Sequence, residues 1–226
     1  MRFGVLRFPG SCDEVDALLA CRRFAEAELI WHGDRDLDGV DAVVVPGGFS
    51  YGDYLRAGAI ARFSPAMEAV ADFARAGGPV LGICNGFQVL CEAGLLPGAL
   101  LPNDSLRFIC RQVDVEVVSA DSPFTRASAA GDRLSIPVKH TTGRYYAPED
   151  TLDELEANDQ VMLRYAAGQN PNGSLRDIAA VCNRDRNVLG LMPHPEHAVD
   201  PLTGSADGGV LFASLVAHVD ELVATA

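Results

Sequence analysis

Pro79-Val80-Leu81-Gly82-Ile83-Cys84-Asn85-Gly86-Phe87-Gln88 decides the fold. An apolar run reads as a buried strand. It ends in a cysteine flanked by Gly82 and Gly86, then passes directly into a helix-forming stretch. Gly-x-nucleophile-x-Gly between a strand and a helix is the pattern of a nucleophile elbow, a turn too sharp for side chains at the glycine positions. Such a turn lifts the nucleophile above the end of a sheet. It also sets it at a helix N-terminus, whose dipole favours thiolate over thiol.

Upstream, residues 3–8 form a short apolar strand. Ser11 is expected to cap a helix with Asp13 and Glu14 in its first turn, and Val15, Leu18, Leu19 and Ala25 on its apolar face. Residues 29–31 give a second strand. Residues 41–45 give a third, continuous and β-branched as a central parallel strand should be, ending at Pro46-Gly47-Gly48. A helical stretch over 58–76 is broken at Ser64-Pro65, where a cap and an N1 proline start a new helix. After the elbow, a helix over 85–93 closes at Gly94.

The second half changes character. Val113, Val115 and Val117 alternate with Asp114 and Glu116, the signature of a strand wet on one face. Residues 134–138 form an edge strand, given Pro137. Residues 161–166, 177–182 and 188–192 give three more, with a hairpin turn over 183–187. A helix over 208–224 ends the chain. Alternation first and antiparallel strands later predict one α/β domain over 1–226, with a mixed, mostly parallel central sheet flanked by helices.

The chain has 226 residues, 48% hydrophobic and 22% charged, with a net charge of −13. That balance is ordinary for a globular protein and argues against a broad basic surface for nucleic acid or anionic membrane. No run approaches the ~20 apolar residues of a membrane span, and the N-terminal apolar stretch is too short for a signal peptide. A cytoplasmic location is expected. The six cysteines, at 12, 21, 84, 91, 110 and 182, contain no Cys-x-x-Cys pair. Neither a structural zinc site nor a disulfide framework is expected. Apart from Cys84 they read as small buried hydrophobes.

A cysteine nucleophile needs a base, and the base needs an orienting group. Of five histidines, His32 and His218 read as packing or surface residues. His194 lies in Met192-Pro193-His194-Pro195-Glu196-His197, where flanking prolines stiffen the segment. Glu196 is placed to reach the far ring nitrogen of His194. Gly47 and Gly48 follow a central strand, so their amides can approach a ligand and, with the amide of Asn85, hold an oxyanion. No dinucleotide or Walker-type glycine fingerprint is present.

These residues make the chain resemble the class I glutamine amidotransferases, nearly end to end. The resemblance rests on Arg7-Phe8-Pro9-Gly10-Ser11, on Pro46 to Arg56, on Gly82-Ile83-Cys84-Asn85-Gly86-Phe87-Gln88, on Met192-Pro193-His194-Pro195-Glu196, and on Gly204-Ser205-Ala206-Asp207-Gly208. The Gly-Gly-Phe-Ser-Tyr-Gly-Asp-Tyr-Leu-Arg stretch from Gly47 is similar to the glutaminase subunits of de novo purine synthesis. The resemblance implies a flavodoxin-like sheet with an antiparallel extension. It implies that Cys84 attacks the side-chain amide of L-glutamine, that His194 shuttles protons and that Glu196 orients His194. Gly48 and Asn85 would form the oxyanion hole, and Gly47, Gln88 and His140 would border the substrate. It implies no cofactor in this chain. ATP and Mg²⁺ would be used by a large synthetase subunit, which takes the ammonia and makes formylglycinamidine ribonucleotide, with a small accessory subunit in the assembly.

The chain departs from the family's usual pattern twice. His140-Thr141-Thr142-Gly143-Arg144-Tyr145 stands where a His-Gly-Glu-Gly-like stretch is usual, and His197 stands where arginine usually follows His-Pro-Glu. Two other readings use the same cysteine: a redox sensor or chaperone with a reactive elbow thiol, and a different cysteine or ester hydrolase. Tyr51, Tyr54 and Arg56 are open to two roles, local packing over the pocket or contact with the synthetase.

Overall fold

Ala42-Val43-Val44-Val45 has no polar face to offer water, and a strand of that kind must be covered on both sides. The computed structural model describes residues 1–225, and in it these four residues are fully buried. In chain order the elements are β1 (Arg2–Arg7), α1 (Glu14–Cys21), β2 (Glu26–Trp31), β3 (Ala42–Val45), α2 (Pro65–Arg75), β4 (Val80–Ile83), α3 (Asn85–Glu92) and β5 (Ala99–Leu101). There follow β6 (Ile109–Val117), β7 (Arg133–His140), β8 (Arg144–Tyr146), α4 (Glu149–Ala157), β9 (Val161–Tyr165), β10 (Ile178–Cys182), β11 (Val188–Leu191) and α5 (Gly209–Thr225).

One nine-stranded sheet runs in the order β2-β1-β3-β4-β11-β10-β9-β6-β7. The five strands from β2 to β11 lie parallel to their neighbours, and the remaining four are added antiparallel. The proline-bearing strand β7 is at the edge, as expected. β5 and β8 form a separate two-stranded ladder. Helix α3 packs on β3, β4 and β11. Helix α5 buries Leu211, Phe212, Leu215 and Val219, a spacing that puts one stripe against the core. Phe212 meets Phe3 and Phe24 edge-on and stacked.

Several local expectations are corrected. Ser11 does not cap α1. Its Oγ accepts from the Phe8 amide at 3.0 Å and closes a turn, while Asp13 occupies the N-cap position without a capping bond. The buried face of α1 is Ala17, Leu18, Ala20 and Cys21, with Val15 and Leu19 about half exposed. The stretch before Ser64 holds only a 3-10 turn over Ala61–Phe63. Helix α4 carries only Leu152 and Leu155 inward, too thin a stripe to be read from sequence. Cys12 and Cys110 are exposed rather than buried.

The cap at Ser64 is as expected: its side chain accepts from the Met67 amide, with Pro65 in the first helical turn. Ser64→Ala should cost about 1 kcal/mol. That lowers the calorimetric melting temperature by roughly 2–4 °C for a domain of this size. An unchanged transition would remove the capping assignment.

Candidate active site

Parallel neighbours bring the residues after their carboxyl ends to one edge, where α/β sheets bind ligands. Strands β1, β3, β4 and β11 are adjacent in that order, and the Arg7–Ser11, Gly47-Gly48, elbow and Pro-His-Pro-Glu motifs each follow one of them. Val45 lies opposite Gly82, and Leu191 opposite Ile83, so the chain leaves the three central strands almost level. The amides of Cys12 and Asp13 both donate to Gly47 O at 3.3 Å, tying the loop after β1 to the loop after β3.

Cys84 is 6% exposed and has φ 51°, ψ −103°. That conformation lies outside the regions open to side-chain-bearing residues. It is held by a hydrogen bond from its amide to Leu191 O at 2.8 Å and by the Gln88 amide donating to its carbonyl at 3.2 Å. A Cβ at position 86 would strike the Val45 carbonyl, so only glycine lets α3 start this close to β3. The elbow predicted from sequence is present.

His194 reaches the same edge from β11, with its amide donating to Pro137 O at 2.8 Å. Its Nδ1 lies 2.6 Å from Glu196 Oε1, and both side chains are buried. A carboxylate only accepts, so Nδ1 carries a proton and Nε2 is the nitrogen free to exchange one. Nε2 has no partner of standard hydrogen-bond geometry among the described residues. The Cys84 sulfur is 3.8 Å from Lys139 O. Burial pushes the imidazolium down in pKa. The Glu196 carboxylate and the Cys84 sulfur outweigh burial and raise it to about 10.

Sequence reasoning missed two charged groups beside this pair. Asp13, read as a dipole-favoured helix residue, is buried, with Oδ2 3.7 Å from His194 Nδ1 and Oδ1 3.4 Å from His197 Nε2. Lys139, on the edge strand β7, forms an ion pair with Asp13 Oδ1. Burial raises the pKa of Asp13, but the hydrogen bond from His197, the charge of His194 and the Lys139 ammonium hold it well below the usual carboxylate range. Burial would lower the pKa of Lys139, and the Asp13 carboxylate raises it instead. Gly47 permits this crowding, since a Cβ there would meet the Asp13 carboxylate and lie 2.8 Å from His194 Cε1.

A pocket of about 70 Å³, open on one side, adjoins Cys84 and is lined by Gly48, Gln88, Lys139, His140 and, unexpectedly, Cys12. A chain of amides braces its wall. Asn85 Oδ1 accepts from the Ser50 amide at 3.0 Å, Asn85 Nδ2 donates to Gln88 Oε1 at 2.8 Å, and Gln88 Nε2 donates to Thr142 O at 2.5 Å. The main-chain amides of Gly48 and Asn85 donate to no group among the described residues. His140 is buried in the same wall. Of the loop residues, Tyr51 packs locally, its hydroxyl 2.6 Å from His32 Nδ1. Arg56 pairs with Glu92, and Tyr54 is 87% exposed.

Over residues 1–208 the chain matches the CobB/CobQ-like glutamine amidotransferase domain. The chain belongs to that family. It is 58% identical over 217 residues to phosphoribosylformylglycinamidine synthase subunit PurQ of Frankia casuarinae, covering 95% of this chain and 93% of that one. It is 59% identical over 218 residues to the same subunit of Rubrobacter xylanophilus, covering 96% and 98%. Among solved structures it is similar to a chain of PurLQS from Thermotoga maritima, with a TM-score of 0.89 and 42% identity over 96% of this chain and 98% of that one. A glutamine amidotransferase needs the kind of elbow cysteine and buried imidazole that this sheet edge presents.

The raised pKa of His194 has a consequence for stability. In the unfolded chain its ordinary value is 6.5, and in the fold about 10. Its contribution is therefore complete below about pH 6.5 and is lost as pH rises toward 10. Urea midpoints of the wild type should fall between about pH 7 and pH 10 by more than those of His194→Gln. Equal slopes would mean that the imidazole holds no extra proton.

Proposed function

We propose that the chain hydrolyses L-glutamine to glutamate and ammonia through Cys84, His194 and Glu196. We further propose that it delivers the ammonia to a synthetase subunit making formylglycinamidine ribonucleotide from formylglycinamide ribonucleotide, which is supported by relatives named as a subunit of phosphoribosylformylglycinamidine synthase. One observation carries the reading: an elbow cysteine at the same sheet edge as a buried imidazole, one of whose nitrogens is unpartnered while the other is held by a carboxylate.

The chemistry follows from those atoms. The sulfur, its proton resting on His194 Nε2, attacks the side-chain amide carbon of glutamine. The oxyanion that forms is held by the free amides of Gly48 and Asn85. His194 returns the proton to the amide nitrogen, the C–N bond breaks and ammonia leaves, giving a thioester on Cys84. Water, deprotonated by His194, attacks the thioester, releasing glutamate and restoring the sulfur. Glu196 keeps the ring oriented and stabilises its charge throughout.

His140 belongs to substrate recognition in this reading. Asn172 Oδ1 accepts from the amide and hydroxyl of Ser174, so Asn172 Nδ2 is the donor toward His140 Nε2 at 3.0 Å. His140 Nε2 thus accepts and Nδ1 carries the hydrogen, with no partner among the described residues. Burial and the neighbouring His194 lower its pKa to about 4, keeping the ring neutral. A neutral, unpartnered N–H in a wall of this pocket suits a polar group of an amino-acid substrate.

The pocket carries Phe49 and Phe108, each about half exposed, and continues into a cleft lined by Phe49, the exposed Leu55, Leu100 and Thr141. Apolar exposure of this kind marks a surface covered by a partner, and the synthetase is the partner we assign to it, with a small accessory subunit completing the assembly. In this reading ATP and Mg²⁺ serve the synthetase and this chain holds no cofactor. No helix among the described residues is long and apolar enough to cross a membrane, and we assign the chain to the cytoplasm.

Glutamate release from glutamine should fall on the order of a thousandfold or more in Cys84→Ala, and should rise in the wild type when the synthetase subunit is added. Undiminished turnover in the variant would refute the assignment. His140→Ala should raise KM for glutamine roughly tenfold, the loss of about one hydrogen bond. An unaltered KM would remove His140 from recognition.

A further inference from the structure

Beyond hydrolysis, the same corner of the molecule has a second capability. We propose that Asp13, His194, Glu196 and His197 form a site for one divalent transition-metal ion of the zinc class, and that its occupancy switches the glutaminase off. One ligand atom from each of the four lies within 4.8 Å of all the others. The pairs measure 3.7 Å for His194 Nδ1 to Asp13 Oδ2, 3.4 Å for His197 Nε2 to Asp13 Oδ1, 3.4 Å for His197 Nε2 to Glu196 Oε1, and 2.6 Å for His194 Nδ1 to Glu196 Oε1. Tetrahedral zinc with nitrogen and oxygen ligands at ~2.0–2.2 Å sets its ligand atoms about 3.4 Å apart. Of the six edges such a tetrahedron has, three of the four measured here are near that length, counting either Asp13 oxygen. The fourth is a hydrogen bond that opens by less than about 1 Å when a metal replaces the shared proton. Two imidazoles and two carboxylates are a donor set that zinc accepts.

Charge and access also fit. Asp13 and Glu196 are two buried carboxylates, and the Lys139 ammonium pairs with the first of them. A divalent cation brings two positive charges to match the two carboxylates. Lys139 is about a third exposed and His197 slightly less, so the first can swing to solvent and the second marks the way in. Glu196 Oε2 has no partner among the described residues, which leaves its carboxylate with spare acceptor capacity. An arginine at position 197 would have no lone pair to give a metal, so His197 is the ligand on which the site turns.

The chemical effect follows from the ring. A metal on His194 Nδ1 displaces that proton to solvent and leaves the remaining one on Nε2. The ring is then neutral and keeps its Nε2 proton, so in the proposed reaction it can neither protonate the departing nitrogen as an imidazolium does nor accept a proton from water. Removing the ion restores the triad without breaking a covalent bond. Metal binding stands on the four side chains alone, whereas its effect on turnover rests on the proposed function.

Zinc chloride titrated into the full chain, followed calorimetrically, should bind with one equivalent in the wild type and equally in Cys84→Ala. His197→Arg should weaken it at least tenfold, and cobalt substituted at the site should show no sulfur-to-metal charge-transfer absorption. Glutamate release should be inhibited by the same zinc and restored by EDTA, and His197→Arg should bring the ratio of rates without and with zinc close to one. Binding lost in Cys84→Ala but kept in His197→Arg would place the metal on the thiol and overturn the proposal, as would no binding at all. A chain that binds zinc through His197 yet never hydrolyses glutamine would sink the function and leave the metal site standing.

Discussion

Everything at this sheet edge depends on one close approach. Helix α3 begins hard against the end of β3 because Gly86 has no Cβ to meet the Val45 carbonyl. The chain must therefore turn at Cys84 through a backbone conformation that costs of order 1–3 kcal/mol, with φ 51°, ψ −103°. The parallel ladders on either side over-determine it: β4 is bonded to both β3 and β11. The strain is thus held by the most buried part of the molecule and presented at its rim. A relaxed turn would carry the sulfur away from His194 and from the amides of Gly48 and Asn85 together.

The second constraint is electrostatic. Burying carboxylates without partners is expensive, and this corner buries two. Glu196 is compensated by His194, and Asp13 by Lys139, His194 and His197. The compensation requires that the groups crowd together, and Gly47 is the residue whose missing side chain makes room. The glycine pair after β3 therefore has two separate jobs. Gly48 offers an amide to the pocket, and Gly47 lets the charge cluster close behind the imidazole.

Legibility followed locality. The elbow, Pro-His-Pro-Glu and the glycine loop could be read because each signals within a few residues: a glycine pattern, flanking prolines, a strand's end. Among the parallel strands, β1, β3, β4 and β11 were legible because burial on both faces leaves apolar runs, whereas β2, with Glu26 and Glu28 on its outer half, was read only from Leu29 on. Asp13 and Lys139 were not, because nothing in Ser-Cys-Asp-Glu or Ile-Pro-Val-Lys-His distinguishes a buried ion pair from a helix-start acid and a wet-face lysine. Their partners are 126 positions apart. The exposure of Cys110 was misread for the same reason, since the side of β6 it occupies is settled by β7 and β9 rather than by its neighbours. Helix α4 failed on amplitude, with two leucines among mostly acidic residues.

The charge balance around His194 bears on how the proposed reaction divides its labour. An imidazole held protonated to about pH 10 is a poor base at neutral pH, since the best general bases have pKa values near the working pH. It is, however, a ready acid, and the first half of the reaction needs one to protonate the departing nitrogen. Part of what holds that proton is the Cys84 sulfur. Once the sulfur is acylated it is neutral, and that part of the attraction disappears while burial, which opposes the imidazolium, remains. In the proposed reaction, His194 would then become a better base at the step where water must be deprotonated.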